Sequence, residues 1–530
     1  MSLPVEPGRE VVPGALPRSE PSRASALVLA LTLALAPFTL ALVLGLWGIR
    51  RRGTLWADEA VTYEMAHRGV PQLLRTLGHA DAVHGLYYLL MHGVFALWDG
   101  GEAALRLPSV VAVALAAVAV ALLGRNLAGP RAGVLAGLVF PLIPAVQRYA
   151  QEGRSYALVC ILIAWATCLL PAALARPGKL RWTAYATLLL TACLLHELAV
   201  VTLLAHGAAV FRSGLPRAVI RGWGISAGCV IAGVLPLAAF SATQSGQVDW
   251  IGFPDPWQTA RWVIAVLLGL LCAWILGPAG SSGAGRSSGA GQPSGVRAGG
   301  VPADGVRSRT ERPVALRTLA LSLLVLPTAL LILLIPVRPL YVDRYVLSYS
   351  IGLALLVGAA LDRVWRGAGL PRALRGAVTV AATGAALAAL FPVGALLRTP
   401  QSRPNDAVAV ARAVRESGRP GDGLLFMPAR RRVWTLARPE EFRGLSDLAL
   451  DRSPVASDTL HGTELTPGRI RARVLAAPRI VAVHDLPGQP LDETEGEAVK
   501  RETLRDHFEE CGSRTVTEAR ITVYARPGTC

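Results

Sequence analysis

Charge is the scarcest commodity in this chain. Only 17% of its 530 residues are charged, against 52% hydrophobic, too few for the surface of a soluble domain of this length. No CxxC and no Cys/His ligand spacing occurs, which excludes a zinc-ribbon or thioredoxin-type centre. Aromatic residues are 6% of the chain and do not interleave with the basic ones. The net charge of +17 is therefore not the footprint of a nucleic-acid binder. No internal repeat is visible. The first apolar run, 26–48, lacks a small-residue cleavage site and is longer than a signal-peptide core.

What is present is a series of apolar runs of about 20 residues, the length that crosses a bilayer. The first is 26–48. Others follow near 107–124, 132–147, 155–174, 182–195, 198–212, 223–242, 258–277, 314–336, 345–361 and 376–396, eleven in all. Arginine-rich connections alternate with poorer ones. Arg125 and Arg131, Arg176 to Arg181, Arg212 to Arg221 and Arg363 to Arg375 fall on one side, which the positive-inside rule makes cytoplasmic. Loop 50–105 and everything after 397 then face outward. Arg50 to Arg52 run against this pattern. Five cysteines, Cys160, Cys168, Cys193, Cys229 and Cys272, lie in apolar runs and read as small buried hydrophobes. Cys511 and Cys530 lie in the C-terminal part and are able to pair in an oxidising compartment.

Three regions follow. Residues 1–25 read as a disordered cytoplasmic tail. Residues 26–396 form the membrane domain, with 278–312 a Gly/Ser-rich flexible cytoplasmic linker. Residues 397–530 form a small extracytoplasmic α/β domain. In it DAVAVARAVRESG reads as a helix, GLLFM, RIVAVHD and RITVYAR as strands, and LDETEGEAVKRETLRDHFEEC as a solvated helix.

Polar residues gather where outer loops meet the membrane, as they do in membrane enzymes. TLWADEAVTYEMA at 54–66 holds the acid pair Asp58 and Glu59. HGLYYLLMH places His84, Tyr88 and His92 on one helical face, in a helix that suits the interface plane. RYAQEGRSYAL supplies Gln151, Glu152 and Arg154. His196 and Glu197 form a tight turn, Gln247, Asp249 and Trp250 another loop, and Asp343 and Arg344 the last. Glycosyl transfer from a polyprenyl phosphate needs a carboxylate base for the acceptor hydroxyl. It also needs cations for the departing phosphate. Asp58 fits the first role, Arg154 or Arg344 the second, and Tyr87, Tyr88 or Trp250 a sugar platform. Other readings stand beside these. Glu152 and Arg154 pair equally well with each other, Arg106 reads as a headgroup anchor, and His206 as a hydrogen-bonded packing residue. His84 and His92 lie about 12 Å apart along a helix, too far to share one metal. No metal site is assigned, and a divalent ion on one His with Asp or Glu is left open.

WADEA, HGLYYLLMH, GGEAALRLPS, QEGRSYAL and RYVLSYSIGLALL, in that order across residues 25–400, resemble glycosyltransferase family 39. This is the protein mannosyltransferase-like family of the GT-C superfamily, and the likeness is strongest to its actinobacterial members. The resemblance implies an all-α polytopic membrane protein of about eleven helices. It implies inverting transfer of a hexose, mannose first, from a polyprenyl-phosphate donor to an extracytoplasmic acceptor: protein, cell-wall glycan or lipid. Membrane lipids are the other partner, and nucleic acid is not one. It also carries Asp58 and Glu59 as the catalytic pair, with Asp58 the base, and Gln151, Glu152, Arg154 and Tyr156 as matched positions. After the last run the family often has a DDW where this chain has Pro404, Asn405 and Asp406. A membrane transporter or flippase is the rival class, and it would favour paired broken helices with midplane charges.

Overall fold

The computed structural model describes residues 23–244, 256–277, 314–367 and 371–530. The expected loop residues Gln247, Asp249 and Trp250, the 278–312 linker and most of the N-terminal tail lie outside them.

Fifteen of the helices precede the C-terminal domain: α1 (Arg23–Leu46), α2 (Ala57–His67), α3 (Val70–Leu77), α4 (Gly85–Leu97), α5 (Glu102–Ala128), α6 (Pro130–Val139), α7 (Pro144–Ala150), α8 (Tyr156–Ala175), α9 (Lys179–Leu195), α10 (Thr202–Phe211), α11 (Arg217–Ala242), α12 (Pro256–Ile275), α13 (Leu316–Leu333), α14 (Tyr349–Gly367) and α15 (Arg372–Leu397). The longest, α5, is the spine. Its Ala- and Val-rich surface packs against α1, α6 and α8. Small residues let helix backbones approach closely where lipid offers no hydrophobic drive. The α5–α6 crossing shows how closely: a Cβ on Gly133 would lie 2.4 Å from the Ala121 carbonyl oxygen.

The eleven expected spans are corrected here. Among the described residues six helices are long and apolar enough to cross a membrane, or seven if the pair α6–α7, bent by 63°, counts as one span. Some of the remaining apolar runs form helices that fall short. The runs 182–195 and 198–212, parted at His196 as expected, form the 17-residue α9 and the 10-residue α10. At about 1.5 Å per residue neither spans a ~30 Å hydrocarbon core. The end of α14 carries Asp362, Arg363 and Arg366. The chain is a multi-pass membrane protein in which, among the described residues, fewer helices are long and apolar enough to cross than there are apolar runs.

The C-terminal domain starts with α16 (Ala407–Ser417). It continues through β1 (Gly423–Met427), β2 (Ser446–Asp447), β3 (Leu450–Arg452), β4 (Thr463–Glu464), α17 (Pro467–Ala476), β5 (Arg479–His484), α18 (Glu495–His507), β6 (Glu509–Val516) and β7 (Ala519–Ala525). Its main sheet has the order β2-β1-β5-β7-β6. The β1–β5 pair is parallel, and β5–β7 and β7–β6 are antiparallel. All five residues of β1 are buried, as a strand covered on both faces requires. The helix expected over 491–511 stops at His507, and its last residues turn into β6, bringing Cys511 to a disulfide with Cys530.

This domain lies against the first polar loop. Arg68 donates to the Thr459 carbonyl (2.9 Å), Gln72 to that of Val455 (2.9 Å), and Arg438 pairs with Glu102 (2.8 Å). The 3-10 segment Ala429–Ala437 packs on α2. That segment is braced from behind by a buried charge network. Arg432 bonds Asp447 (2.6 Å) and Glu464 (2.7 Å), and Lys500, fully buried, bonds Glu464 (2.7 Å) and Glu497 (2.8 Å).

Candidate active site

Asp58 and Glu59 occupy the first turn of α2, where the helix dipole favours negative charge. Adjacent residues on a helix point about 100° apart, so the pair divides. Glu59 turns inward and is fully buried. Arg106 grips it with two bonds of 2.7 Å, Arg51 donates at 3.1 Å and the Gly153 N–H at 3.0 Å. Burial alone would raise its carboxyl, but Arg106 and Arg51 outweigh that and hold it far below the usual carboxylate range. Arg106 is thus a buried partner of Glu59 rather than a headgroup anchor. Arg51 also donates to the Gln151 carbonyl. This accounts for a basic cluster on the wrong side of the charge alternation: its central guanidinium is used inside the protein.

Asp58 turns the other way. A third of its side chain is exposed, and its Oδ2 lies 4.0 Å from Arg344 Nη2. Arg344 sits within 6 Å of three aromatic ring centres: Trp56 (5.6 Å), Tyr156 (5.7 Å) and Tyr345 (5.5 Å). His196 stacks 4.4 Å from Tyr345 and 5.8 Å from His84, which neighbours Tyr88 at 6.2 Å. Arg154 closes the ring: it is buried and donates to the hydroxyls of Tyr88 (3.1 Å) and Thr62 (3.4 Å). Burial pushes both His84 and His196 well below the ordinary imidazole value, with Arg154 and Arg344 adding to the effect. Both rings are therefore neutral at pH 7.

The other expected residues divide as well. Glu152 is buried and pairs with Arg403 (3.7 Å), not with Arg154. Burial raises its carboxyl, against the pull of Arg403 and Arg344. Gln151 gives its amide nitrogen to the carbonyls of Gly45 (2.8 Å) and Trp47 (2.6 Å), anchoring the end of α1. His92 bonds the Ala66 carbonyl at 2.8 Å, away from the His84–Tyr88 cluster. His206 bonds Thr167 (3.0 Å) and Tyr185 (2.9 Å) inside the bundle, the packing role expected of it. Tyr149 donates to Asp343 at 2.6 Å, which sets the Asp343–Arg344 turn against α7. Among the described residues no three His, Cys, Asp or Glu side chains gather as a metal centre would need.

Several buried polar atoms here have no partner among the described residues: Glu152 Oε1, Arg154 Nε, His84 Nδ1, His196 Nδ1 and the Tyr87 hydroxyl. Native interiors seldom leave such groups idle unless a ligand or water meets them. Residues that sequence reasoning passed over complete the picture. Trp56 and Tyr345 sit beside residues already singled out, His196 among them. Arg403 carries no local signal, and Asn405 was marked only by its place opposite the family's DDW, because both meet the site from the far end of the chain.

The fold and site define a polytopic membrane protein with a buried, cation-rich, aromatic-lined centre beside one half-open carboxylate. No protein-family model matches the chain, and no curated protein does. Among solved structures, ArnT from Cupriavidus metallidurans in the apo state matches with a TM-score of 0.55 at 11% identity, over 94% of this chain and 98% of that one. The same protein bound to undecaprenyl phosphate gives 0.48 at 12%, over 95% and 98%. The archaeal oligosaccharyltransferase AglB from Archaeoglobus fulgidus, in complex with an inhibitory peptide and a dolichol-phosphate, gives 0.43 at 12%, over 85% and 69%. The chain shares the fold of ArnT.

Proposed function

We propose that this protein is an integral membrane glycosyltransferase. It moves a hexose, mannose first among candidates, from a polyprenyl-phosphate donor to an extracytoplasmic acceptor: protein, cell-wall glycan or lipid. The observation that carries this is the pairing of a half-open carboxylate, Asp58, with two cations held in an aromatic enclosure, Arg344 and Arg154. Among the described residues the buried Arg154 guanidinium donates to hydroxyls alone, which is costly for a charge, and an anionic ligand relieves that cost. ArnT, whose fold the chain shares, has been crystallised with undecaprenyl phosphate, a ligand of this kind.

In this reading Asp58 takes the proton of the acceptor hydroxyl as its oxygen attacks the anomeric carbon. The bond from that carbon to the phosphate oxygen breaks, and Arg344 and Arg154 take up the charge that develops on the phosphate. Tyr88, Tyr156 and Tyr345 offer ring faces and hydroxyls to the sugar. The neutral imidazoles of His84 and His196 offer hydrogen bonds without adding charge. Glu59 holds the loop rather than touching substrate, and Glu152 and Gln151 support it from the second loop. The Cys511–Cys530 disulfide, in a domain that touches the first loop, supports an oxidising, extracytoplasmic side for both.

The test is incubation of membranes containing the full-length protein with labelled polyprenyl-phosphate mannose, scoring label in protein, glycan and lipid fractions. Label should appear in one fraction and vanish in Asp58→Asn. Equal transfer by the variant removes Asp58 as base. Absence of transfer with every polyprenyl-phosphate hexose tried removes the reading itself.

A further inference from the structure

α2 begins without the usual help. The first N–H groups of a helix have no partner within it, and a Ser, Thr, Asp or Asn at the N-cap commonly supplies one. The N-cap of α2 is Trp56, which makes no side-chain cap bond; its ring lies beside Arg344 instead. The missing acceptor arrives from 348 residues away: Asn405 Oδ1 accepts the Ala57 N–H at 2.8 Å. Two residues on, the Ala407 N–H donates to the Leu55 carbonyl at 2.8 Å. Between them Asp406 caps α16 through the N–H groups of Val408 and Ala409, both at 3.1 Å. Residues 405–407 therefore join the starts of two helices head to head.

The amide of Asn405 is itself oriented. Its Nδ2 points to Glu518 Oε2 at 3.5 Å, in the turn between β6 and β7. The approach to residue 405 is held too, since Arg403 bonds the Arg148 carbonyl (2.7 Å) and pairs with Glu152. Ala57 immediately precedes Asp58. The helix start is thus held on two sides, by the arginines around Glu59 and by Asn405 at the tip. Among the described residues Asp58, between them, makes no side-chain hydrogen bond comparable to those of Glu59.

We propose that Asn405 is a positioning residue: it caps α2 from the C-terminal domain and so aims the Asp58 carboxylate. This rests on the reading of Asp58 as the base. It makes the C-terminal domain part of the catalytic apparatus rather than an appendage. Misplacing a reacting group by about 1 Å costs on the order of 10²-fold in rate.

The experiment uses full-length protein in membranes, with labelled polyprenyl-phosphate mannose as the probe. Asn405→Leu keeps the bulk and removes the acceptor. Its initial rate at saturating donor should fall about 10- to 100-fold, with the half-saturating donor concentration and the membrane protein level unchanged. Asn405→Asp restores an acceptor. Made together with Glu518→Gln, which removes the repulsion, it should recover most of the rate. Ala407→Pro deletes only the neighbouring N–H, because proline is tolerated at a first helical position, and should slow the reaction in the same way to a smaller extent. Asp58→Glu misaims the carboxylate by itself, so adding Asn405→Leu to it should cost little more, the signature of two changes acting through one group.

A wild-type rate in Asn405→Leu overturns the proposal. So does failure of the Asp variant to recover, or a full multiplicative loss in the double variant, or a slowed rate accounted for by lost protein. The reading underneath is tested apart: an inert Asp58→Asn with a fully active Asn405→Leu keeps Asp58 as base and removes only Asn405, whereas an active Asp58→Asn removes the base itself.

Discussion

Two adjacent residues, Asp58 and Glu59, sit in opposite kinds of surroundings. The Glu59 carboxylate is itself saturated: two guanidinium groups and a backbone N–H converge on it, and it has no solvent exposure. Around Asp58 the fit is loose. Its nearest cation is 4.0 Å away and buried polar atoms nearby lack partners. The first arrangement is what a folded chain needs for itself; the second leaves room for something that is not protein. Saturation separates a structural acid from a reactive one where chemistry and sequence position do not.

Neutralising the two acids should therefore give different failures. Asp58→Asn should lower the initial transfer rate by about 10² to 10⁴, with membrane insertion and protein level kept; radiolabel transfer at saturating donor reads this. Glu59→Ala should act on the fold. Removing one partner of a buried pair costs about 3 to 5 kcal/mol, because Arg106 and Arg51 are left buried and uncompensated. Thermal unfolding in detergent should register it, whereas an unchanged melting temperature with lost activity would erase the contrast.

A smaller effect is expected at Arg154. Arg154→Lys keeps the charge but loses the forked geometry. Forfeiting one charge-assisted bond should raise the half-saturating donor concentration about tenfold, with the rate at saturation less affected. If saturation shifts no more than in a remote surface variant, Arg154 belongs with the structural set.

The smallest effect concerns acid. His84 and His196 are both pushed down by burial, so the unfolded chain binds protons that the folded one refuses. Their contribution to stability is present above the unfolded value of about 6.5 and is lost as pH falls below it. His84→Gln or His196→Gln should flatten the fall in melting temperature between pH 6.5 and 5. An unchanged slope would show that the rings charge freely in the folded state.

Much of the fold was legible because it is written locally. β1, β5, β7 and α16 follow from apolar runs and helical periodicity, and the polar loops stand out against so apolar a background. The number of crossings was not, because hydropathy counts apolar residues without registering how short the helices on either side of His196 are or the bend between α6 and α7. β6 was hidden in a segment whose acidic residues read as a solvated helix. In the site, Asp58, Arg154 and Arg344 were visible as polar groups at loop mouths. The division of labour between Asp58 and Glu59 was not, since it depends on which face of α2 meets Arg106. Arg403 lay beyond any local pattern, and Asn405 showed a position without a role, because their partners are found only once the two ends of the chain have met.

The bond from Ala57 to Asn405 also has a meaning in time. Its two ends leave the ribosome far apart: at about 5 to 20 residues per second, roughly 20 to 70 seconds separate them. Through that interval the first polar loop has been made but its helix start lacks a cap. The last strands, β6 and β7, must follow before the turn that orients Asn405 exists. A nascent or truncated chain therefore carries the start of α2 without its cap, and the proposed reactive centre is among the last parts of the molecule to mature.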